Sequence, residues 1–192
     1  MMNFERLQQT RIPDLASVYG GARGRTMSSR HQLYAWRALQ EAGVTTIIDL
    51  REKDHTDRLP ALCQDYGMQY FHYPVDTSAT AVAQMVELFP ELCQLIDAGD
   101  FYIACAMGLH RTDIALSAYW LFHGAEKGLE APTIRGYRKE DGHTLDKLMR
   151  ILNAMFQAFS SQEGIAPLTD VKLKQRKSIL IQQANQPYKL NN

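Results

Sequence analysis

Short apolar runs alternate along the chain with longer stretches in which apolar residues recur every three or four positions. The short runs are rich in β-branched and aromatic residues and predict strands over 44–50, 68–75 and 101–104. The longer stretches have the spacing of amphipathic helices. They predict helices over 29–42, 58–66, 77–97, 112–123, 131–140, 144–159 and 170–183. Strands that alternate with helices indicate an α/β fold in which a central, mostly parallel sheet is flanked by helices.

Several segments refine this pattern. The glycine-rich, basic segment 19–29 predicts a loop, and Pro90 predicts a kink or break in the helix that contains it. The helix after Arg111 is apolar on nearly every face, so we expect it to be buried. Large aromatic residues at helical spacing predict core positions; these are Trp36, Tyr119 and Trp120.

Length and charge narrow the class of protein. The chain has 192 residues and a net charge of zero, which favours one domain over 1–160, with 161–192 forming a C-terminal helix and tail packed on it or extending from it. We expect no nucleic-acid partner, because no excess of basic residues is present. We also expect no membrane partner, because no run approaches the ~18 apolar residues of a membrane span. Neither the pattern nor the composition predicts an oligomeric state.

The cysteines indicate the compartment. There are three, Cys63, Cys93 and Cys105, with no CxxC pair, and the N-terminus shows no secretory leader. Both observations predict a cytoplasmic protein. Cys63 and Cys93 lie within helical apolar patterns and are predicted to be buried core residues.

The segment from Cys105 to Arg111 differs from the rest of the chain. It joins a predicted strand to a predicted helix, so its backbone N–H groups converge on one point where the helix dipole adds positive potential. Gly108 allows a tight turn, and the guanidinium of Arg111 can donate two parallel hydrogen bonds to phosphate oxygens. The loop therefore predicts a phosphate cradle formed by Ala106, Met107, Gly108, Leu109, His110 and Arg111.

Cys105 lies at the base of this cradle. A positive field stabilises a thiolate, and a thiolate that faces a bound phosphate is a nucleophile. The hydroxyl of Thr112 is placed to donate a hydrogen bond to the sulfur. The alternative is that Cys105 is only a small buried core residue.

The stretch CAMGLHRT resembles the signature loop of the cysteine-dependent protein tyrosine phosphatases: Cys, five residues, Arg, then Ser or Thr. More narrowly, residues 15–160 resemble the dual-specificity-like branch, and GVTTIIDLRE (43–52) is similar to the strand that opens that domain. The resemblance implies a tyrosine-phosphatase-like fold and a two-step reaction. Cys105 would form a phosphocysteine, Arg111 would hold the phosphate oxygens, and water would complete hydrolysis without a metal or cofactor.

Two positions depart from the family pattern. Ala104 stands where the family usually has a histidine that orders the loop, and Asp113 stands where it commonly has glycine. An acidic residue in the first helical turn suits the helix dipole. We also expect Asp113 to repel the phosphate of a substrate.

The leaving group needs a proton, which a positioned carboxylic acid can give. The resemblance implies an aspartate about thirty residues before the cysteine, and Asp76 follows the predicted strand 68–75 at that distance. The alternative for Asp76 is an N-cap of the next helix. Three further acids, Glu87, Glu91 and Asp97, fall on that helix and are predicted to be surface charges.

Other charged residues carry weaker predictions. Arg23 and Arg25 are expected either to line the mouth of the pocket or to lie on a solvated basic loop. Arg51 is predicted to be a structural ion-pair partner, and His110 to contact the substrate or point outward. The segment 135–143 is predicted to be solvated surface, and the histidines show no ligand-spaced pair, so we predict no metal site.

The loop carries no lysine, which favours a singly phosphorylated substrate over a polyphosphorylated one. The predicted partner is a phosphorylated protein, through phosphotyrosine or phosphoserine/threonine, or a small phosphomonoester. Two alternatives remain: a rhodanese-type sulfurtransferase, which also places a cysteine loop at a helix start, and a pseudo-phosphatase that binds phosphate without turnover.

Overall fold

The structure, a computed structural model, describes residues 1–27, 33–52, 58–76, 79–137, 145–160 and 168–185. Within these ranges the chain forms one mostly parallel sheet with helices on both faces, which confirms the predicted α/β class. The strands are β1 (Ala16–Val18), β2 (Gly21–Arg25), β3 (Thr46–Asp49), β4 (Gln69–His72) and β5 (Phe101–Cys105). The helices are α1 (Phe4–Gln8), α2 (Leu33–Glu41), α3 (Leu59–Asp65), α4 (Ala79–Ala98), α5 (His110–Phe122), α6 (Leu145–Ser160) and α7 (Asp170–Ala184), with a 3-10 helix at Gly124–Lys127.

The strand order is β1-β2-β5-β3-β4, and only the β1–β2 pair is antiparallel. Side chains alternate between the two faces, as the pleat requires. Ile48 and Ile103 enter the core under α4, α5 and α6, whereas Ile47 and Tyr102 enter the core under α2. The central strand β5 is buried at every position, so its carboxyl end lies between neighbours on both sides.

The sequence prediction of a loop over 19–29 is wrong for 21–25, which form β2 beside the central strand. This segment lacks a β-branched pattern because small residues are needed there: a Cβ at Gly24 would lie 2.4 Å from the hydroxyl oxygen of Tyr102. β1 was also missed, since three residues are too few for a periodic signal. Residues 28 and 29 lie outside the described part of the chain.

Two helix predictions are corrected. α4 runs without interruption through Pro90, so the predicted break is wrong. Residues 131–137 are not helical, because the backbone N–H groups of Arg135 and Gly136 donate to a carboxylate, that of Asp113, and not to a helical carbonyl. Residues 138–140 lie outside the described ranges.

The apolar helix α5 crosses the sheet with residues 112–121 all buried, as predicted, and Trp36, Tyr119 and Trp120 are core residues. α7 packs against the same core through Leu173 and Leu180. The boundary between the domain and its C-terminal segment at residue 160 stays a prediction. Within the described ranges, no helix has both the length and the apolar character that a bilayer span requires.

Candidate active site

The loop between β5 and α5 is curled back on itself. The N–H of Gly108 donates to the carbonyl of Cys105 at 3.1 Å, and Gly108 has a φ of 69°, a conformation that glycine adopts without strain. A Cβ at Gly108 would lie 2.5 Å from the carbonyl carbon of Gly24. The loop therefore rests directly on the backbone of β2, and glycine is required at the point of contact.

Cys105 is the last residue of β5 and is 3% exposed. The hydroxyl of Thr112, itself fully buried, lies 3.4 Å from the sulfur and donates to it. This is the geometry expected from the sequence. Because Thr112 is in the first turn of α5, the sulfur lies close to the N-terminal end of that helix, where the helix dipole is positive.

A cavity of about 320 Å³ opens above the sulfur. Its polar or chemically active lining residues are Asp76, Cys105, Met107, His110, Arg111, Tyr137 and Lys147. Of the predicted phosphate-cradle residues, Ala106, Met107, His110 and Arg111 line the cavity, whereas the side-chain positions of Gly108 and Leu109 do not. The loop thus presents one face to the cavity and the other to the protein interior.

Arg111 forms an ion pair with Glu52, which follows β3. The guanidinium is 30% exposed and the carboxylate 49%, so both remain accessible to solvent and to a ligand. Glu52 was not among the residues predicted for the site. Its position just beyond a strand that pairs with β5 was the available signal, since carboxyl ends of neighbouring parallel strands meet at one sheet edge.

Asp76 follows β4 and lines the same cavity as Cys105 and Arg111. The rival acids Glu87, Glu91 and Asp97 lie on α4 and do not line it. Asp97 is not a simple surface charge, because it accepts hydrogen bonds from Tyr119, His123 and Lys127. Although burial opposes ionisation, these bonds lower the pKa of Asp97 to about 2.

The prediction that Asp113 repels a bound phosphate is corrected by its surroundings. Its carboxylate is fully buried, does not line the cavity, and forms an ion pair of 2.7 Å with the guanidinium of Arg23. Arg23 is 2% exposed, so both predictions for it, the pocket mouth and a solvated loop, are wrong. The charge on each residue is compensated by the other.

Arg25 is half-buried and does not line the cavity. Its guanidinium lies 3.4 Å from the sulfur of Met107, a residue that lines the cavity. Arg51 is a structural ion-pair partner, as predicted, since its guanidinium donates to both carboxylate oxygens of Asp49 at 3.0 and 3.1 Å.

Residues 135–137, the described part of the segment predicted to be surface, lie beside the cavity, and Tyr137 lines it. Tyr137 is buried, and the edge of its ring meets the ring of His110 at a centroid distance of 5.6 Å. Burial, followed by the nearby Asp113 charge, raises the pKa of Tyr137, so its hydroxyl stays protonated and can donate. Residues 138–143, the rest of the predicted surface segment, lie outside the described ranges.

The other two cysteines are buried, as predicted. Burial raises the pKa of both the Cys63 and the Cys93 thiol to about 12. They are therefore protonated at neutral pH and are poor nucleophiles. Among the described residues, no group of three or more His, Cys, Asp or Glu side chains is arranged to hold a metal ion.

The sequence matches the model of one known protein family. A sequence model described as "polymorphic toxin system, DSP-PTPase phosphatase" (Tc-R-P) matches residues 21–125, more than half of the chain. The chain belongs to this phosphatase family. The match covers β2 to the end of α5 and includes the whole Cys105–Arg111 loop of the phosphatase, and it confirms the resemblance seen in the sequence.

Solved structures share the fold of the phosphatase at low identity. A DUF442 protein from Shewanella putrefaciens is 19% identical with a TM-score of 0.54, over 81% of this chain and 95% of that one. The kinase-associated phosphatase with its catalytic-site cysteine replaced by serine is 12% identical with a TM-score of 0.51, over 84% and 94% of the two chains. A comparison with curated protein sequences gives no significant match.

Proposed function

We propose that this phosphatase hydrolyses phosphomonoesters through a phosphocysteine at Cys105. The observation that carries the proposal is that Cys105, Arg111 and Asp76 line one cavity at the N-terminal end of α5. A thiolate, a bidentate cation and a carboxylic acid are the three groups that such a reaction needs. The backbone N–H groups of the curled loop supply further donors for the phosphate oxygens.

In the first step the Cys105 thiolate attacks phosphorus. The S–P bond forms as the P–O ester bond breaks, and Asp76 gives its proton to the departing oxygen. Arg111 donates to the equatorial oxygens of the phosphoryl group and stabilises the negative charge that they carry in the transition state. The hydroxyl of Thr112, 3.4 Å from the sulfur, stabilises the thiolate before attack and after its release.

In the second step water attacks the phosphocysteine. The Asp76 carboxylate accepts a proton from the water, the new P–O bond forms, and the S–P bond breaks to return the thiolate and inorganic phosphate. No group other than side chains, backbone amides and water takes part. The proposed substrates are phosphotyrosine or phosphoserine/threonine residues, or a small molecule with one phosphate.

The decisive experiment compares p-nitrophenyl phosphate hydrolysis by the wild type, Cys105→Ser and the matched control Cys63→Ser. An alcohol is not ionised at neutral pH, so Cys105→Ser should lose at least about 10³-fold in kcat, whereas Cys63→Ser should retain activity. Rapid acid quenching of the wild type with a labelled substrate should trap one phosphate per chain. Equal activity of wild type and Cys105→Ser would contradict the proposal.

The same proteins separate the alternatives. Sulfur transfer from thiosulfate to cyanide, without aryl-phosphate hydrolysis, would favour the sulfurtransferase. Binding of a phosphopeptide without turnover would favour a pseudo-phosphatase. Asp113 departs from the family pattern, but it is buried against Arg23 and does not line the cavity, so its charge gives no support to a pseudo-phosphatase.

The family description suggests a biological setting. We propose that the phosphatase activity is the effector of a polymorphic toxin system, acting on a phosphorylated molecule of the recipient cell. Inducible expression in a bacterial host should slow growth with the wild type and not with Cys105→Ser. Equal growth with both proteins in every host tried would count against a toxin role and leave the chemistry unaffected.

A further inference from the structure

Arg23 contacts the loop from the side that faces away from the cavity. Its guanidinium donates to the carbonyl oxygens of Gly108 at 3.1 Å and Leu109 at 3.4 Å, and to that of Thr133 at 3.2 Å. The side chain is almost fully buried and does not line the cavity. In the sheet, Arg23 pairs with Ile103 of β5, two residues before Cys105. Arg23 is thus fixed to the strand that carries the nucleophile.

Asp113 completes the contact. One carboxylate oxygen accepts from Arg23 at 2.7 Å, and the other accepts from the backbone N–H groups of Arg135 at 2.8 Å and Gly136 at 2.6 Å. The Arg23–Asp113 pair therefore connects β2, the loop, the first turn of α5 and the segment that ends in Tyr137. These parts of the chain are separated by up to 110 residues or slightly more and meet on the side of the loop that faces away from the cavity.

A buried ion pair is not an efficient way to stabilise a core. Removing two charges from water costs several kcal/mol per ion, and a well-packed apolar pair of similar volume is often equally stable or better. What the ion pair provides is direction, because a planar guanidinium donates only in fixed directions. Its effect must therefore be sought in the orientation of the groups to which it is bonded.

Those groups are peptide units of the loop. In a trans peptide the C=O and the following N–H point in opposite directions. The carbonyl of Gly108 shares its peptide with the N–H of Leu109, and the carbonyl of Leu109 shares its peptide with the N–H of His110. Arg23 holds both carbonyls on the interior side, and the N–H of Asp113 also donates to the carbonyl of Leu109 at 2.8 Å. The N–H groups of these two peptides therefore point away from Arg23 and the interior.

We infer that Arg23 and Asp113 are positioning residues that set the oxyanion cradle of this phosphatase. The inference rests on the proposed function. Arg23 orients the Leu109 and His110 amides, and Asp113 fixes both Arg23 and the segment that places Tyr137 on the cavity wall. The pair supplies order to a loop that has Ala104 before its cysteine, and it accounts for an aspartate at position 113.

The test uses Arg23→Lys and Asp113→Asn with Arg176→Lys as the matched control. Lysine keeps the charge but cannot donate to four oxygens in the guanidinium geometry. Asparagine keeps an oxygen for the Arg135 and Gly136 amides but loses the charge that orients Arg23. Arg176 is also buried and donates to a carbonyl, that of Leu121, and to a carboxylate, that of Glu126, at the opposite end of α5.

The readouts are the Kd of inorganic phosphate and of tungstate by calorimetry, kcat and KM for p-nitrophenyl phosphate, and the Tm, with binding measured well below the Tm. Arg23→Lys should weaken oxyanion binding by about tenfold, and Asp113→Asn by about threefold, with kcat/KM falling in parallel. Arg176→Lys should lower the Tm about as much as Arg23→Lys does, and its oxyanion Kd should stay within twofold of the wild-type value. If Arg23 only stabilised the fold, Arg23→Lys and Arg176→Lys would have similar oxyanion Kd values as well as similar Tm values.

Several outcomes would overturn the inference. One is an Arg23→Lys protein whose oxyanion Kd stays within twofold of the wild type; another is a wild type that binds neither oxyanion. If Arg23→Lys does not fold, an oxyanion Kd that is unchanged in Asp113→Asn would overturn the inference instead. A wild type that binds tungstate but hydrolyses nothing would refute the proposed function only, since the binding comparison still decides the role of Arg23.

Discussion

The two ends of α5 differ in the charged groups that lie around them. At its N-terminal end, buried Arg23 and Asp113 neutralise each other behind the loop, and the cavity in front is open. At its C-terminal end, the cations Arg176 and Lys127 pair with carboxylates of the protein itself. The helix dipole makes the first end attractive to anions and the second to cations. The protein pairs the cations at the second end internally, and we propose that the first end binds a phosphoryl group.

The ends also differ in how tightly backbone segments approach each other. Near the loop, a Cβ at Gly136 would lie 2.7 Å from the backbone nitrogen of His110. At the other end, a Cβ at Gly124 would first meet side-chain atoms, of Tyr119 at 3.0 Å and Leu129 at 3.2 Å. Side chains can adjust and backbone cannot, so the site end should tolerate far less change.

The largest contrast should come from replacing arginine by lysine at each end. Arg111→Lys should lower kcat/KM for p-nitrophenyl phosphate by about 10³-fold, because lysine cannot donate two parallel hydrogen bonds to the phosphoryl oxygens. Arg176→Lys should leave kcat/KM within twofold. Steady-state kinetics on both variants test this, and an Arg111→Lys enzyme with more than a tenth of wild-type activity would break the comparison.

Replacing each acid by its amide comes next. Asp76→Asn should slow phenyl phosphate hydrolysis by about 10²-fold, because the poor leaving group needs a proton. The loss should be smaller with p-nitrophenyl phosphate, whose leaving group is better. Asp97→Asn, at the far end, should not change either rate. If phenyl phosphate is hydrolysed at the wild-type rate by Asp76→Asn, the proton comes from another group.

Replacing a glycine by alanine at each end of α5 should have effects of intermediate size on phosphate binding and stability. Gly136→Ala should weaken phosphate binding by about tenfold and destabilise the fold by about 1–3 kcal/mol, because the methyl group would displace the loop backbone at His110. Gly124→Ala should cost less than about 1 kcal/mol and leave phosphate binding unchanged. Calorimetry and denaturant unfolding measure both, and equal phosphate affinities in the two variants would show that Gly136 does not support the loop.

The smallest effect concerns acid stability at the C-terminal end. The pKa of Asp97 is lowered to about 2, below its ordinary value of about 3.9. The ionised carboxylate therefore contributes stability above about pH 4, and this contribution is lost as the pH falls towards 2.

We expect Asp97→Asn to be less stable than the wild type by about 1 kcal/mol at pH 6, since the pair is partly exposed. The difference should narrow at pH 3. Urea unfolding at the two pH values tests this. A stability difference between wild type and Asp97→Asn that grows on acidification would show that the ionised Asp97 carboxylate does not stabilise the protein.

Local patterns in the sequence determined much of this protein. The strands β3, β4 and β5 and the buried helix α5 follow from residue periodicity, which depends only on near neighbours. The proposed nucleophile and the proposed phosphate-binding arginine lie within the eight consecutive residues from Cys105 to Thr112, so the loop and both residues could be named without a fold.

Tertiary structure decided what depends on a distant partner. Arg23 and Asp113 are 90 residues apart. From the sequence, Arg23 was predicted to lie at the pocket mouth or on a solvated loop, and Asp113 to repel the phosphate of a substrate. Their contact compensates both charges inside the fold. It lies between the inner strand 21–25 and the non-helical segment whose backbone N–H groups donate to Asp113. A buried charge is intelligible only together with the group that compensates it, and a sequence does not state which distant residue that is.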